Sequence, residues 1–376
     1  MKAVLIAAGE GSRLRPFSDH KNPKIMLPFL GKPILGYQVE EFLRAGLNQF
    51  VVICNPRNLS KIKRYLLSTY PQADFKLVTQ KEQLGPAHAI YQAKKYLAKE
   101  DFFIFKYTDS VTEKDQVKQT LKAFNSKTMK AVVTLKKVSQ PEHYGVARFS
   151  AQSLITEIVE KPVPEQAPSN LANTGTGILN SQLFFKEFAK DDLSQNQKEV
   201  PPQQYVLSAG GQAGYWIYKY ISIDLGRPWN ILEVNRLLID RYLGKNKNYV
   251  SADSVLGKNI KLDGYVSLIG VQVGDNCYLK NSYILPGAKI GAGSKIIDSV
   301  IGRYSRIGQN FETLKAKGKE NIKIWVKDKY LDSGYKTLGC FIGDRVKIGD
   351  NLKCQAGKVV YGHKDIRTNI EQDYIN

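Results

Sequence analysis

Short apolar runs alternate with helix-spaced stretches from the first residues to about position 245. Lys2 to Ile6 reads as a buried strand, and a glycine-bearing turn, Gly9–Arg13, follows at once. Pro33 to Ala45 sets Leu35, Val39, Phe42 and Leu43 on one helical side, with Gly46 as its stop. The same reading predicts strands at Phe50–Cys54, Phe75–Val78 and Phe102–Phe105, and helices at Leu59–Leu67 and Ala87–Leu97. The last of these strands runs out at Asp109. Such alternation predicts a mostly parallel sheet covered on both faces. Beyond Asp109 the pattern changes. Ala131–Lys136, Tyr144–Phe149 and Ile155–Val159 read as strands, and a polar, proline-rich loop follows from Pro162 to Pro168. The sheet is therefore expected to become mixed and to carry a lobe over a cleft. Ile221–Asp224 is a late strand and Asn230–Tyr242 a helix, and the basic, polar Gly244–Asn248 marks a boundary.

From residue 251 the period changes to six. An aliphatic residue stands just before glycine at Leu256-Gly257, Ile269-Gly270, Val273-Gly274, Ile290-Gly291, Ile301-Gly302, Ile307-Gly308, Ile342-Gly343 and Ile348-Gly349. A triangular parallel coil takes about six residues per face, points one aliphatic side chain inward on each, and uses glycine or another small residue at the tight turn. Residues 309–340 interrupt the repeat. Lys315, Lys317, Lys319, Lys323, Lys327 and Lys329 make that stretch basic, while Ile322, Ile324 and Val326 keep strand alternation. An excursion from the coil accounts for both. The polar tail, His363 to Asn376, is expected to cap the coil's open edge.

Composition narrows the class. At 43% apolar and 24% charged the 376-residue chain can bury a core, and no apolar run is long enough to span a bilayer. The apolar patch at the start is too short for a signal peptide, so a soluble, cytoplasmic protein is expected. Net charge is +20, spread over both halves rather than gathered in a tail, which favours anionic small substrates over specific nucleic-acid binding. Cys54, Cys277, Cys340 and Cys354 form no CxxC pair, so buried structural thiols are expected.

Leu5-Ile6-Ala7-Ala8-Gly9-Glu10-Gly11-Ser12-Arg13, then Asn22-Pro23-Lys24 and Leu27-Pro28, resembles the signature of the sugar-1-phosphate nucleotidylyltransferases. The resemblance runs to about residue 240, and the six-residue repeat resembles the β-helix that many members carry. It implies an α/β, Rossmann-like mixed-sheet nucleotidyltransferase domain over residues 1–245 and a left-handed parallel β-helix over 251–376. The loop's chemistry agrees. Gly9 and Gly11 let backbone N–H groups approach phosphate, with Ala8 and Ser12 in the same nucleotide-binding turn. Arg13 offers a forked donor to the leaving phosphates. Lys24, by resemblance, bridges the phosphates of both substrates. The spacing GEGSR is not the dinucleotide GxGxxG.

A second stretch, QKEQLGPAHA, resembles the segment that reads a pyrimidine base, with Gln80 and Gly85 suited to uracil or thymine. Pro86 departs from the small hydroxyl residue common there and removes one backbone donor. His88 is expected to be positional rather than catalytic. Asp109 and Asp224 match the two aspartates that hold Mg²⁺ in relatives. Thr108 stands where relatives usually have glycine, and a branched side chain there is expected to crowd the site, slow the enzyme or change its substrate preference. Tyr144-Gly145-Val146, Glu160-Lys161-Pro162 and Asn173-Thr174-Gly175 resemble the sugar-phosphate contacts, with Gly145, Glu160, Lys161 and Asn173 as binding residues.

The implied reaction is a direct displacement. A sugar 1-phosphate oxygen attacks the α-phosphorus of UTP or dTTP and pyrophosphate leaves, with glucose 1-phosphate or N-acetylglucosamine 1-phosphate as acceptor. No general base is needed, because the nucleophile is already anionic. The four histidines, His20, His88, His143 and His363, leave the repeat body without one, so the β-helix is expected to scaffold a homo-oligomer, such as a trimer. Two alternatives remain: a bifunctional enzyme that also acetylates glucosamine 1-phosphate, and a catalytically weak regulatory or scaffolding subunit.

Overall fold

The computed structural model describes residues 1–191, 200–316 and 318–375; Lys317 of the basic excursion and Asn376 of the tail lie outside them. Two compact units result: Met1–Glu10 with Leu35–Ser222, and Gly11–Ile34 with Ile223–Asn376.

The first unit is built on a nine-stranded sheet. Its strands are β1 (Lys2–Ala7), β2 (Gln49–Cys54), β3 (Asp74–Thr79), β4 (Phe102–Tyr107), β5 (Ala131–Lys137), β6 (Gly145–Phe149), β7 (Ile155–Glu160), β8 (Leu171–Asn180) and β9 (Ala213–Ile217). Their order is β3-β2-β1-β4-β8-β5-β9-β7-β6, and β8 also meets β6. The four strands β1–β4 are mutually parallel where they pair, as in Val4 with Val51 and with Phe105. β8 runs antiparallel to both β4 and β5, so the sheet turns mixed after Asp109 as expected. Val4, Val51, Ile53, Phe103 and Phe105 are fully buried in its core, which explains the unbroken apolar runs of these strands.

Helices α1 (Ile34–Arg44), α2 (Leu59–Thr69), α3 (Gly85–Gln92), α4 (Lys94–Leu97), α5 (Val117–Lys122), α6 (Ser181–Phe188) and α7 (Pro202–Ser208) flank the sheet sequence. The single helix expected over Ala87–Leu97 is two pieces. Ala93 leaves helical geometry at φ −90°, ψ 5°, and α4 restarts behind it. The helical spacing survives on both sides, so periodicity alone could not show the break. α6 begins where the Asn180 side chain accepts from Leu183 N at 3.0 Å, an N-cap that supplies one orphan amide. Its Phe188 stacks on Tyr91 of α3 at 4.7 Å and meets Tyr205 of α7 at 5.0 Å.

One ion pair is wholly inside. Lys106 on β4 donates to Glu41 on α1, and the two side chains are 0% and 4% exposed. Glu41 also accepts from the amides of Gln116 and Val117 at 2.6 and 3.0 Å, so its lone pairs are used.

In the second unit, three all-parallel sheets of six, six and five strands form the left-handed β-helix, entered from α8 (Asn230–Leu243). Coils stack in register: Val273 on Ile290, Ile290 on Ile307, Ile307 on Ile348, Ile348 on Ile366. Each inward isoleucine is almost fully buried, worth about 2 kcal/mol by transfer. The first pair departs from this, because Val255 and Leu256 are 62% and 37% exposed on the opening coil. The glycines also do something other than turn. Of the eight aliphatic–glycine pairs only Gly270 has a left-handed φ. The others, Gly349 excepted, sit where the next coil's backbone closes in; a Cβ on Gly291 would fall 2.5 Å from the Gly308 carbonyl carbon. Several left-handed turns are taken by asparagines such as Asn276, Asn310 and Asn351, and Asn310 Nδ2 donates to Asn351 Oδ1 at 2.9 Å across coils. The excursion is an antiparallel hairpin, Lys323–Val326 with Lys329–Asp332, after which Phe341 pairs with Val300 and the coil resumes. In the tail, Ile370 bridges to Cys354 and Tyr374 to Val360, which covers the last edge as expected. All four cysteines are buried and free, and burial pushes the Cys54 thiol up to about 12.

Candidate active site

The carboxyl edge of a parallel sheet is where side chains and amides meet a ligand, because the strands end there and their loops open outward. β1 ends at Ala7 and passes into Ala8, buried, and Gly9, exposed. β3 ends one residue before Gln80, which is 2% exposed. Its Nε2 donates to the Gly85 carbonyl at 3.0 Å and faces His88 Nδ1 at 3.1 Å. His88 Nε2 faces the Gln92 amide at 2.8 Å, so the imidazole sits between two glutamines and holds Gln80 in place. Burial lowers the His88 pKa, and Glu82 opposes that shift. The positional role expected of His88 is what these contacts describe. Gly85 has φ +88°, a conformation only glycine takes readily, and Pro86 lies in the first turn of α3, where a missing N–H costs no helical bond.

β4 ends just before Thr108 and Asp109. Thr108 is 1% exposed and its hydroxyl donates to the Ile6 carbonyl at 2.8 Å. The hydroxyl of this branched side chain is thus spent on the end of β1. Asp109 is half-buried beside it. The Tyr107 pKa is pushed up by burial first and then by Glu160 and Asp109, which places both carboxylates in the field of one phenol.

The sugar-phosphate candidates come together through strand register. Glu160 on β7 pairs with Gly145 on β6, and Ala172 on β8 pairs with Val146, which puts Asn173 beside Gly145 on the other side. A Cβ on Gly145 would fall 2.5 Å from Glu160 Oε2, so the glycine makes room for that carboxylate. Lys161 follows at φ +45°, its Nζ 4.0 Å from Glu160 Oε1. Asn173 Oδ1 accepts from Gly175 N at 3.0 Å, and its Nδ2 donates to Gln203 Oε1 at 3.3 Å. Gln203 on α7, fully buried, went unnoticed in the sequence because its segment carries no motif.

Gly11, Ser12, Arg13, Lys24 and Asp224 belong to the second unit. Gly11 has φ +68° and its carbonyl accepts from Ser18 Oγ at 2.6 Å. A Cβ there would come within 3.3 Å of Lys24 Cβ, so the stem of Lys24 lies over the glycine turn. Ser12 and Arg13 open a single 3₁₀ turn, and Arg13 is exposed. Asp224 closes its short strand, exposed, with its carbonyl accepting from Gly226 N at 2.8 Å. Asp109 and Asp224 form no cluster of three or more metal-ligating side chains among the described residues.

This unit also bears a groove of about 480 Å³ on one β-helix face, lined by Lys280, Lys295, Asp298, Lys315 and Leu338. Burial raises the Asp298 pKa while Asn281, Lys280 and Lys315 pull it down.

A mixed sheet followed along the chain by a parallel β-helix is the architecture of the sugar-1-phosphate nucleotidyltransferases. The profile described as Nucleotidyl transferase matches residues 2–241 and that of the GMPPB C-terminal domain matches 239–375; the chain belongs to the nucleotidyl transferase family. It is similar to a bifunctional sugar-1-phosphate nucleotidylyltransferase/acetyltransferase of Sulfurisphaera tokodaii, 30% identical over 95% of this chain and 93% of that one. The low-salt glycan biosynthesis nucleotidyltransferase Agl11 of Haloferax volcanii is 28% identical over 82% and 94%. Among solved structures, a UDP-glucose pyrophosphorylase from Acinetobacter baumanii superposes with a TM-score of 0.55 at 23% identity, over 65% of this chain and 95% of that one. That likeness concerns the fold. No helix among the described residues is long and apolar enough to cross a membrane.

Proposed function

We propose that this nucleotidyltransferase joins UTP or dTTP to glucose 1-phosphate or N-acetylglucosamine 1-phosphate, releasing pyrophosphate. What supports the reading is that Ala8, Gln80 and Asp109 follow the carboxyl ends of β1, β3 and β4, and that strand register sets Gly145, Glu160 and Asn173 side by side. On this reading Gln80 and Gly85 would meet the base edge. Glu160 and Asn173 suit a hydroxyl-rich sugar, whose buried OH groups need partners. Arg13 and Lys24 carry the charge that the phosphates require. A sugar phosphate oxygen forms the new bond to the α-phosphorus as the bond to pyrophosphate breaks, and no proton needs to be removed.

Asp109 and Asp224 would hold Mg²⁺, since both offer the oxygen donors that this cation prefers. A cation held there would supply charge neutralisation to the phosphates. The β-helix would make the chain a homo-oligomer, such as a trimer, with no specific nucleic-acid or membrane partner.

Acetyl transfer is the second reading, and the relatives strengthen it over a purely scaffolding β-helix. The bifunctional relatives span this chain's β-helix as well as its sheet domain. The lysine-lined groove offers cationic contacts for an acyl carrier's phosphates. The weak-subunit reading loses its Thr108 argument, since that side chain is turned onto Ile6. Pyrophosphate release with Mg²⁺, across UTP, dTTP and the purine triphosphates against a sugar 1-phosphate panel, tests the first reading. Silence throughout, in folded protein, rejects it. Acetyl-CoA consumption that depends on glucosamine 1-phosphate tests the second.

A further inference from the structure

Arg303 sits in the β-helix just after the Ile301-Gly302 pair, with its side chain only 10% exposed. Asp344, on the coil that follows, receives its Nη1 at Oδ2, 2.9 Å, and its backbone amide at Oδ1, 2.7 Å. The same Nη1 donates to the carbonyl of Phe17 at 3.2 Å, a bond closed between residues 286 positions apart. The coil itself does not need an arginine at this corner, for in the register that pairs Tyr283 with Val300 the preceding coil has Pro286 there.

Other contacts converge on the same segment. Phe17 is 1% exposed and meets Phe341 edge-on at 6.5 Å. A Cβ on Gly343 would fall 2.8 Å from Pro16 Cβ, so glycine is what lets Pro16 seat on the coil. Phe29, fully buried, lies 5.0 Å from the Tyr283 ring. Lys24 falls between these two aromatic anchors, and Arg13 lies just before the first. Ser18, the neighbour of the clamped peptide, closes the Gly11 turn.

We infer that Arg303 is a positioning residue for nucleotidyl transfer: by gripping the Phe17 peptide it fixes the segment that presents Arg13 and Lys24 to the triphosphate. This rests on the nucleotidyl-transfer reading above. A guanidinium can serve a carboxylate and a carbonyl together, whereas an ammonium on a flexible stem lacks the fixed fork.

The test compares wild type with Arg303→Lys, with the double variant Arg303→Met/Asp344→Asn, which leaves no unpaired carboxylate, and with Arg345→Ala, an exposed arginine on the next coil, as control. Hydrogen exchange over residues 11–29 should quicken in the double variant, less in Arg303→Lys, and not in the control, with the stacked coils unchanged. In pyrophosphate-release kinetics, KM for UTP or dTTP should rise about tenfold in the double variant and about threefold in Arg303→Lys, with kcat falling and the thermal midpoint held. Unchanged exchange over 11–29 overturns the inference. So does faster exchange with KM and kcat still within about twofold of wild type. Should the double variant fail to fold, Arg303→Lys carries both readouts. A wild type that neither binds nor turns over any triphosphate sinks the reading itself and the role with it; an active wild type with indifferent variants sinks the role alone.

Discussion

Gly145 and Glu160 show how one missing methyl shapes a site. An added Cβ would meet the far end of a flexible side chain, Oε2 of Glu160, rather than backbone. Gly145→Ala should therefore displace the carboxylate without unfolding the sheet. KM for the sugar 1-phosphate is expected to rise about tenfold, roughly one lost charge-assisted contact, with little change in the thermal midpoint. Thr108→Gly should cost about 1 kcal/mol for the lost bond to Ile6 and yield no faster pyrophosphate release; a clear gain in rate would restore the crowding view. His88 adds a pH effect. Burial lowers its native pKa below the ordinary imidazole value, so the unfolded chain binds the proton more readily. The stability tied to the neutral ring is complete above about pH 6.5 and drains away as pH falls toward the lower native value. Protonation would also set an N–H donor against Gln80 Nε2. A thermal-midpoint series from pH 8 to 5 should lose this component in His88→Gln, if the ring is its source.

Among elements, β4 is the most constrained, because it carries both Asp109 at its end and Lys106 inside. Removing the carboxylate of Glu41 leaves a buried ammonium facing an amide. Glu41→Gln should cost about 3–5 kcal/mol in urea unfolding, while replacing both partners by apolar side chains should cost far less. Nothing in the sequence marks this pair, since a lysine inside a strand reads as its exposed face. The parallel strands β1 to β4 were legible because each is an apolar run of ordinary strand length. β8 was not. Its Asn173, Thr174 and Gly175 read as ligand contacts, and the register shift between Asn173 and Gly177 breaks the alternation that would have shown a strand. The repeat's period was legible, but the work of its glycines was not, because close approach of one coil to the next is invisible along a single chain. Candidate site residues were named where contiguous motifs carry them, whereas Gln203 and Arg303 carry no motif and meet Asn173 and Phe17 only on folding.

For the molecule as a whole, the segment Gly11–Ile34 belongs with the β-helix rather than with the sheet that precedes and follows it. A chain ended after residue 245 would keep Arg13 and Lys24 in sequence but lose Phe341, Tyr283 and Arg303. Leu14, Phe17 and Phe29, all now buried, would face water. Such a fragment is expected to be poorly soluble or to bind triphosphate at least about tenfold more weakly, judged by calorimetry on whatever remains monodisperse.

The grip on Phe17 also bears on how such chains are passed on and recombined. A crossover between related genes near codon 240 looks harmless, since the two family matches meet there. Yet a crossover there would deliver a β-helix whose Arg303 and Phe341 were selected against another protein's loop. Hybrids would succeed only when residues 11–34 travel with residues 223–376, so inheritance would bind the beginning of the gene to its end.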